Sequence, residues 1–526
     1  MRWHTSPASS ALAAVRLAAP AVAAVQRFDL DIVNAQLAPN GFSRPTVVAN
    51  GGFPGPLITG NIGDQFLINT TVSTTDTTML RATSIHWHGL FQAHTNEMDG
   101  PAFVNQCPII PEHSFLYNFS VPGQAGTFWY HSHYSTQYCD GLRGAFVIYD
   151  PNDPLANMYD IDDASTVITL ADWYNQIAPD LFPNHGNATP IPDSTLINGL
   201  GRSSAGGDLA VVRAQPGKRH RFRLINTGCF PPYQFSIDNH RMTIIEADGI
   251  EHEPLTVDQL EIHVAQRYSI IVTADQPVGN YWIRAIPVFP TESKLQGTPG
   301  GINSAILRYD GAPDEEPTTS AQAKPVVMNE ADLHPLINPG APGPPVPGGA
   351  DVNLRLQVGR SHAEFNINGN TFVPPSVPVL LQILSGTTDA RQLMPQGNVI
   401  GLPPNKSIEI VVPGRNFHHP FHLHGHAFDV IRVAGSKTYN FANPVRRDVV
   451  QTGQGGDEVT FRFFTDNPGP WFLHCHIDWH LENGLAVVLA EDPGDTAAAD
   501  PPGVDWQQLC PLYDGNNPDT SILAHG

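Results

Sequence analysis

Gly126-Thr-Phe-Trp-Tyr-His-Ser-His133, Gly279-Asn-Tyr-Trp-Ile-Arg-Ala285 and Gly469-Pro-Trp-Phe-Leu-His-Cys-His476 are three versions of one pattern. Each opens on glycine, continues with a bulky aromatic pair and an apolar residue, and ends in a polar tail. A second echo links Gly63-Asp-Gln-Phe-Leu-Ile-Asn69, Gly217-Lys-Arg-His-Arg-Phe-Arg-Leu-Ile-Asn226 and, more loosely, Asn405-Lys-Ser-Ile-Glu-Ile-Val-Val412. These runs are rich in aromatic and β-branched residues and alternate in part with period two, as at Val459, Phe461 and Phe463, so they read as strands. The spacing between echoes is that of whole domains rather than of a short solenoid repeat. The reading is an all-β chain of three tandem domains.

Length agrees, because 526 residues at roughly 100–200 per domain give about three. Charged residues are only 15% against 41% apolar, so the 49 prolines and 46 glycines mark turns between short strands, not disorder. Boundaries are expected near Tyr149-Asp-Pro-Asn-Asp-Pro154 and in the Pro/Gly/Ala-rich stretch around 311–350. They give residues 24–150, 151–320 and 321–526 as the three domains, after a leader over 1–23.

That leader rests on Arg2, the small apolar run Ala11–Val25 and the small-x-small triplet Ala21-Val22-Ala23, with Arg16 interrupting the run. Four Asn-x-Ser/Thr sequons, at Asn69, Asn118, Asn187 and Asn405, are candidate glycosylation sites. With five cysteines, enough for two bridges, they point to a secreted, extracellular glycoprotein. A net charge of −22 disfavours nucleic acid and anionic membranes as partners. No stretch after residue 30 is long and apolar enough to be a spanning helix.

The chemistry lies in four His-x-His pairs: His86/His88, His131/His133, His422/His424 and His474/His476. Residues i and i+2 share one face of a strand, so each pair presents two imidazoles together. One pair is an ordinary surface feature; four pairs confined to the first and third repeats are not. The middle repeat has Arg284 and Ala285 where the others have His131-Ser132 and His474-Cys475, so it binds no metal. Eight imidazoles exceed the needs of one ion. Cys475, on the opposite face from His474 and His476, joins with His419 and His480 to make the two-histidine, one-thiolate set of a blue copper site. Zinc would want more cysteine or fewer imidazoles. The usual axial methionine is missing, since all seven methionines lie at or before Met394. Leu485 stands in that place as an axial non-ligand, which predicts a high reduction potential.

Together Ile85-His-Trp-His-Gly89, Trp129-Tyr-His-Ser-His133, His419-Pro-Phe-His-Leu-His-Gly-His426 and His474-Cys-His-Ile-Asp-Trp-His480 resemble the laccases of the blue multicopper oxidase family, the basidiomycete ones above all. The resemblance runs from about residue 27 to the end. It implies three cupredoxin-like Greek-key β-sandwich domains and four copper ions. His419, Cys475 and His480 would hold the type 1 copper, and His86 and His422 the type 2. His88, His131, His133, His424, His474 and His476 would hold the type 3 pair. It implies bridges Cys107–Cys510 and Cys139–Cys229, and proton relays at Asp99 and Asp478, whose plain alternative is loop or capping carboxylates. It implies a monomer that takes single electrons from phenolic and related aromatic donors at the edge of His480 and reduces dioxygen to water. Lignin turnover, pigment formation and detoxification are all compatible with that activity.

An ascorbate oxidase would call for the axial methionine, and a membrane ferroxidase for a C-terminal anchor that Ile522-Leu-Ala-His-Gly526 does not offer. A copper-storage protein leaves Cys475 without a purpose. One departure is notable. The laccases resembled commonly carry an Asp directly after the cysteine matching Cys229, where it takes the phenolic proton. Here the residue is Phe230, followed by Pro231 and Pro232. Phe230 is therefore expected to add apolar surface to the donor pocket, with Asp238 as a candidate substitute acid.

Overall fold

The structure is a computed structural model and describes residues 23–182, 189–289, 304–361 and 364–523. The leader over 1–23, apart from its last residue, and the sequon at Asn187 lie outside the described residues.

Each of the three echoing segments is a strand, and each holds the same place in its sheet. Gly126–Ser132 runs antiparallel between Arg143–Tyr149 and Ile85–His88. Asn280–Pro287 lies likewise between Ser304–Tyr309 and Tyr233–Ile237. Gly469–Cys475 lies between Ala486–Glu491 and Pro420–Leu423. In all three sheets the strand after the echo takes a parallel partner on its far side: Gly55–Asn61, Val211–Ala214 and Val399–Leu402.

The second echo behaves the same way. Gln65–Val72, Arg219–Asn226 and Ser407–Pro413 each pair parallel with an earlier strand and antiparallel with a later one. The result is three two-sheet sandwiches of four plus four, six plus five, and five plus five strands, with a short ribbon of Val358–Ser361 and Glu364–Ile367 beside the third. Period-two burial, as in Gln65–Val72, turns alternate side chains into the space between sheets. Of the first-echo strands, Gly126–Ser132 and Gly469–Cys475 are buried on both faces, because the first and third sandwiches meet there.

After the last strand, the helix Val504–Gly515 returns to the first sandwich. There Trp506, Leu509 and Tyr513 join the core of Phe115, Tyr117 and Tyr134. Cys107 is bonded to Cys510 on this helix, and Cys139 to Cys229 across the first and second sandwiches.

Candidate metal centre

Strand register brings the histidines together. His86 stands opposite His131, and His422 opposite His474. The sheets of the first and third sandwiches meet at these pairs, and eight imidazoles converge. His88 stacks on His422 with ring centroids 3.8 Å apart, and His86 lies 4.0 Å from His424. His131 and His476 are 5.2 Å apart, as are His133 and His474.

Hydrogen bonds at Nδ1 fix how these rings point. His86 Nδ1 meets the Asp99 carbonyl oxygen at 2.8 Å, and His131 Nδ1 that of Ser132 at 2.8 Å. His422 Nδ1 meets the Asp448 carbonyl at 2.9 Å, and His474 Nδ1 that of Cys475 at 3.0 Å. A ring that donates from Nδ1 keeps its lone pair on Nε2. Nε2 of His86, His131, His133 and His422, and both nitrogens of His88 and His476, have no hydrogen-bond partner although they are buried. Burial, with neighbouring imidazoles second, holds His88, His131, His133, His422, His424 and His476 well below the ordinary histidine range, so the rings are neutral. Such a cage of lone pairs without hydrogens is costly when nothing fills it and is what divalent metals require. His86/His422/His424, His86/His88/His131 and His133/His424/His474 are each compact enough to hold an ion.

On the other face of the strand Gly469–Cys475, Cys475 points into the third sandwich. Its Sγ lies 3.5 Å from His419 Nδ1 and 3.7 Å from His480 Nδ1, which are themselves 3.1 Å apart. Burial pushes the Cys475 thiol far up and His419 down to about 3, so a thiolate here requires a cation between these three atoms. One thiolate and two imidazoles suit copper. Leu485 is fully buried beside them: its carbonyl accepts from Cys475 N at 3.1 Å and its N–H donates to the His480 carbonyl at 3.0 Å. His480 Nε2 points away from the triad and meets Thr189 Oγ1 at 3.0 Å.

Asp99 sits under the cage with one oxygen 2.8 Å from His424 Nδ1 and the other 3.2 Å from His86 Nδ1. Asp478 lines a small cavity with His131, His133, His474 and His476, and burial raises its carboxyl well above the usual range. Phe230 is 2% exposed and packs on Phe289 at 5.4 Å and Phe417 at 5.9 Å. Asn118 and Asn405 are exposed, and Asn69 is half-buried.

Asp238 is not free to act as a base, because it forms a bidentate pair with Arg284 at 2.8 Å and accepts from Thr319. By register Ser236 faces Arg284 as His86 faces His131. Asp238 thus stands where His88 and His424 stand, and an ion pair fills the place of metal ligands in the middle sandwich.

Sequence reasoning missed Asp448, whose carboxylate lies 3.4 Å from His88 Nε2, and Arg267, which grips it. It also missed Glu482, which accepts from Ser135 Oγ at 2.8 Å and lines a larger cavity reaching His133. No motif surrounds Asp448 or Arg267, which only folding brings to the histidines; Glu482 follows the last motif by two residues, on the helix Asp478–Glu482 that carries His480.

Comparison with known proteins agrees with this geometry. Three multicopper oxidase family models match residues 31–153, 164–312 and 372–495. The chain is 57% identical to a laccase of Phlebia radiata, covering 97% of this chain and 98% of that one. It is 58% identical to a laccase of Pycnoporus cinnabarinus, covering 96% and 97%. Among solved structures, the laccase from Botrytis aclada superposes with a TM-score of 0.83 at 30% identity, over 94% of this chain and 93% of that one. Fet3p, a multicopper oxidase that functions in iron import, gives 0.81 at 30% identity, over 93% and 95%. The chain therefore belongs to the multicopper oxidase family, among its laccases, and its cofactor is the family's set of four coppers.

Proposed function

We propose that His419, Cys475 and His480 hold the type 1 copper, that His86 and His422 hold the type 2 copper, and that His88, His131, His133, His424, His474 and His476 hold the type 3 pair. A laccase oxidises phenolic and related aromatic donors one electron at a time and reduces dioxygen by four electrons to water. The observation that carries the assignment is Cys475: its sulfur lies in the His419–His480 triangle while both flanking histidines face the cage.

Bound copper supplies reversible one-electron chemistry at each site. The chain's own residues do the rest. The outward Nε2 side of His480, under Thr189, is the edge at which a donor delivers its electron. From Cys475 one peptide unit and the His474 Nδ1–H to Cys475 carbonyl hydrogen bond link the triad to the cage. Asp99 orients His86 and His424 at once. Asp478, buried and inclined to stay protonated, is placed to pass protons toward the cage, and Glu482, raised to about 7 by burial, stands beside the route from the larger cavity.

The protein acts as a secreted monomer on small aromatic donors. The two disulfides and the exposed sequons at Asn118 and Asn405 support that setting. Metal analysis should find about four coppers per chain, with a strong thiolate-to-copper absorption in the visible. Cys475→Ser should lose the blue colour and donor oxidation together. A blue band surviving in that variant overturns the assignment.

A further inference from the structure

The middle sandwich has no ligand histidine, yet it reaches the cage through one side chain. Arg267, at the start of the strand Arg267–Thr273, is fully buried. Its guanidinium takes both oxygens of Asp448, at 2.6 and 2.7 Å, and donates from Nε to the Thr127 carbonyl of the first sandwich at 2.9 Å. Asp448 belongs to the third sandwich. Its main-chain oxygen accepts from His422 Nδ1, and its carboxylate lies 3.4 Å from His88 Nε2. His88, His422 and Asp448 are close enough to hold an ion among them. Asp248 secures the clamp from behind: it accepts from Arg267 N at 2.8 Å and from Arg447 Nε at 2.9 Å. Gly89 leaves room for it, since a Cβ there would lie 2.4 Å from the guanidinium and 2.8 Å from the Asp448 carboxylate.

A buried carboxylate beside two metal-facing imidazoles has two options. It can bind the metal, or it can be held by another cation. We propose that Arg267 is a positioning residue that keeps the Asp448 carboxylate out of the coordination of the copper cage, and that this is what the ligand-free middle domain contributes to the site. A bidentate guanidinium uses both oxygens in a fixed plane, which a single ammonium cannot do. Released, the carboxylate would reach the type 2 ion assigned to His422, beside the type 3 ligand His88, and fill a position that the assignment above leaves open. The inference rests on that ligand assignment.

The test compares Arg267→Gln, Arg267→Lys, Asp448→Asn and the double variant Arg267→Gln/Asp448→Asn in the copper-loaded protein. The readouts are copper count, blue band, spin resonance of the type 2 copper, and the separate KM values for dioxygen and donor. Arg267→Gln should keep the blue band and the donor KM, alter the type 2 signal and lower kcat by about 10- to 100-fold. Arg267→Lys should fall between it and the parent. The double variant, with an amide in place of the carboxylate, should recover the parent's type 2 signal. A purely structural clamp predicts no such recovery, since the double variant has lost both partners. An unchanged type 2 signal in Arg267→Gln, or a double variant no closer to the parent than the single, overturns the proposal. If Arg267→Gln does not fold, Arg267→Lys with and without Asp448→Asn decides it on the same signal. A parent protein without type 2 or blue signals would instead overturn the ligand assignment itself.

Discussion

Two single positions carry specific expectations about electron and proton transfer. Leu485 is held by two main-chain hydrogen bonds beside Cys475 and His480 and offers no sulfur to the triad. Without a thioether the cupric state is less stabilised, so Leu485→Met should lower the type 1 potential and slow oxidation of poor donors. A redox titration with no downward shift counts against the axial role. Phe230 is the position we propose for the donor side. Its amide donates to Asp172 at 2.9 Å while its ring is spent on Phe289 and Phe417. Asp238 cannot replace a missing base, locked as it is by Arg284. The enzyme should therefore favour donors that lose only an electron over phenols, which also lose a proton. Phe230→Asp should raise kcat/KM for a phenol relative to a non-phenolic donor by about tenfold or more between pH 3 and 7. Phe230→Asn is the control, because it loses the same packing without gaining a base. Equal ratios in the two variants would remove position 230 from proton transfer.

Elements matter most where they carry residues across domain borders. The helix Val504–Gly515 has no sandwich of its own and buries Trp506, Leu509 and Tyr513 in the first one, 400 residues earlier in the chain. Trp506 Nε1 donates to the Asn105 carbonyl at 3.0 Å, and Tyr134 and Tyr513 share a hydrogen bond between hydroxyls at 3.1 Å. The Cys107–Cys510 bridge closes a loop of sequence separation 403, so its loss frees a large part of the unfolded ensemble. Cys107→Ser/Cys510→Ser should destabilise the protein by about 2–5 kcal/mol and make the tail the first site of proteolysis. The blue absorption at Cys475, in the third sandwich, should persist until global unfolding. Loss of the blue band ahead of tail cleavage would show that the helix supports the copper sites directly.

Over the whole molecule, opposing groups of buried titrating side chains set the response to pH. Burial depresses His88, His131, His133, His419, His422, His424, His474 and His476 in the folded chain. Below about 6.5 the unfolded chain takes up protons that these rings refuse, so copper-free protein loses stability as pH falls. Glu97 and Asp500 work the other way. Burial raises both to about 7, and they lie close enough to repel when charged. The folded chain keeps these protons while the unfolded chain releases them above about 4, so their contribution weakens folding as pH rises from about 4 to 7. Asp140, Glu251, Asp429, Asp478 and Glu482 are raised by burial as well and act in the same sense as Glu97 and Asp500. Removing acids that favour folding as pH falls leaves the histidines less opposed, so Glu97→Gln/Asp500→Asn should lose more Tm than the parent between pH 7 and 5 in thermal scans of copper-free protein. An equal or smaller loss in the double variant contradicts this balance.

Local pattern alone determined the three-domain all-β plan and the metal-bearing repeats. Strand alternation is a property of neighbouring residues, and four His-x-His pairs need no folding to be seen. Cys475 between His474 and His476 likewise announces two sites back to back, because side chains i and i+1 leave a strand on opposite faces. What only the tertiary structure decided is everything that depends on residues remote in sequence. The pairing of Asp238 with Arg284 followed from register between strands nearly fifty residues apart. The clamp of Arg267 on Asp448 joins residues 181 apart, and the link from Asp99 to His424 spans 325. A lone aspartate or arginine in a strand carries no mark of its partner. Its charge acquires a role only when packing removes water and leaves one counter-ion within reach.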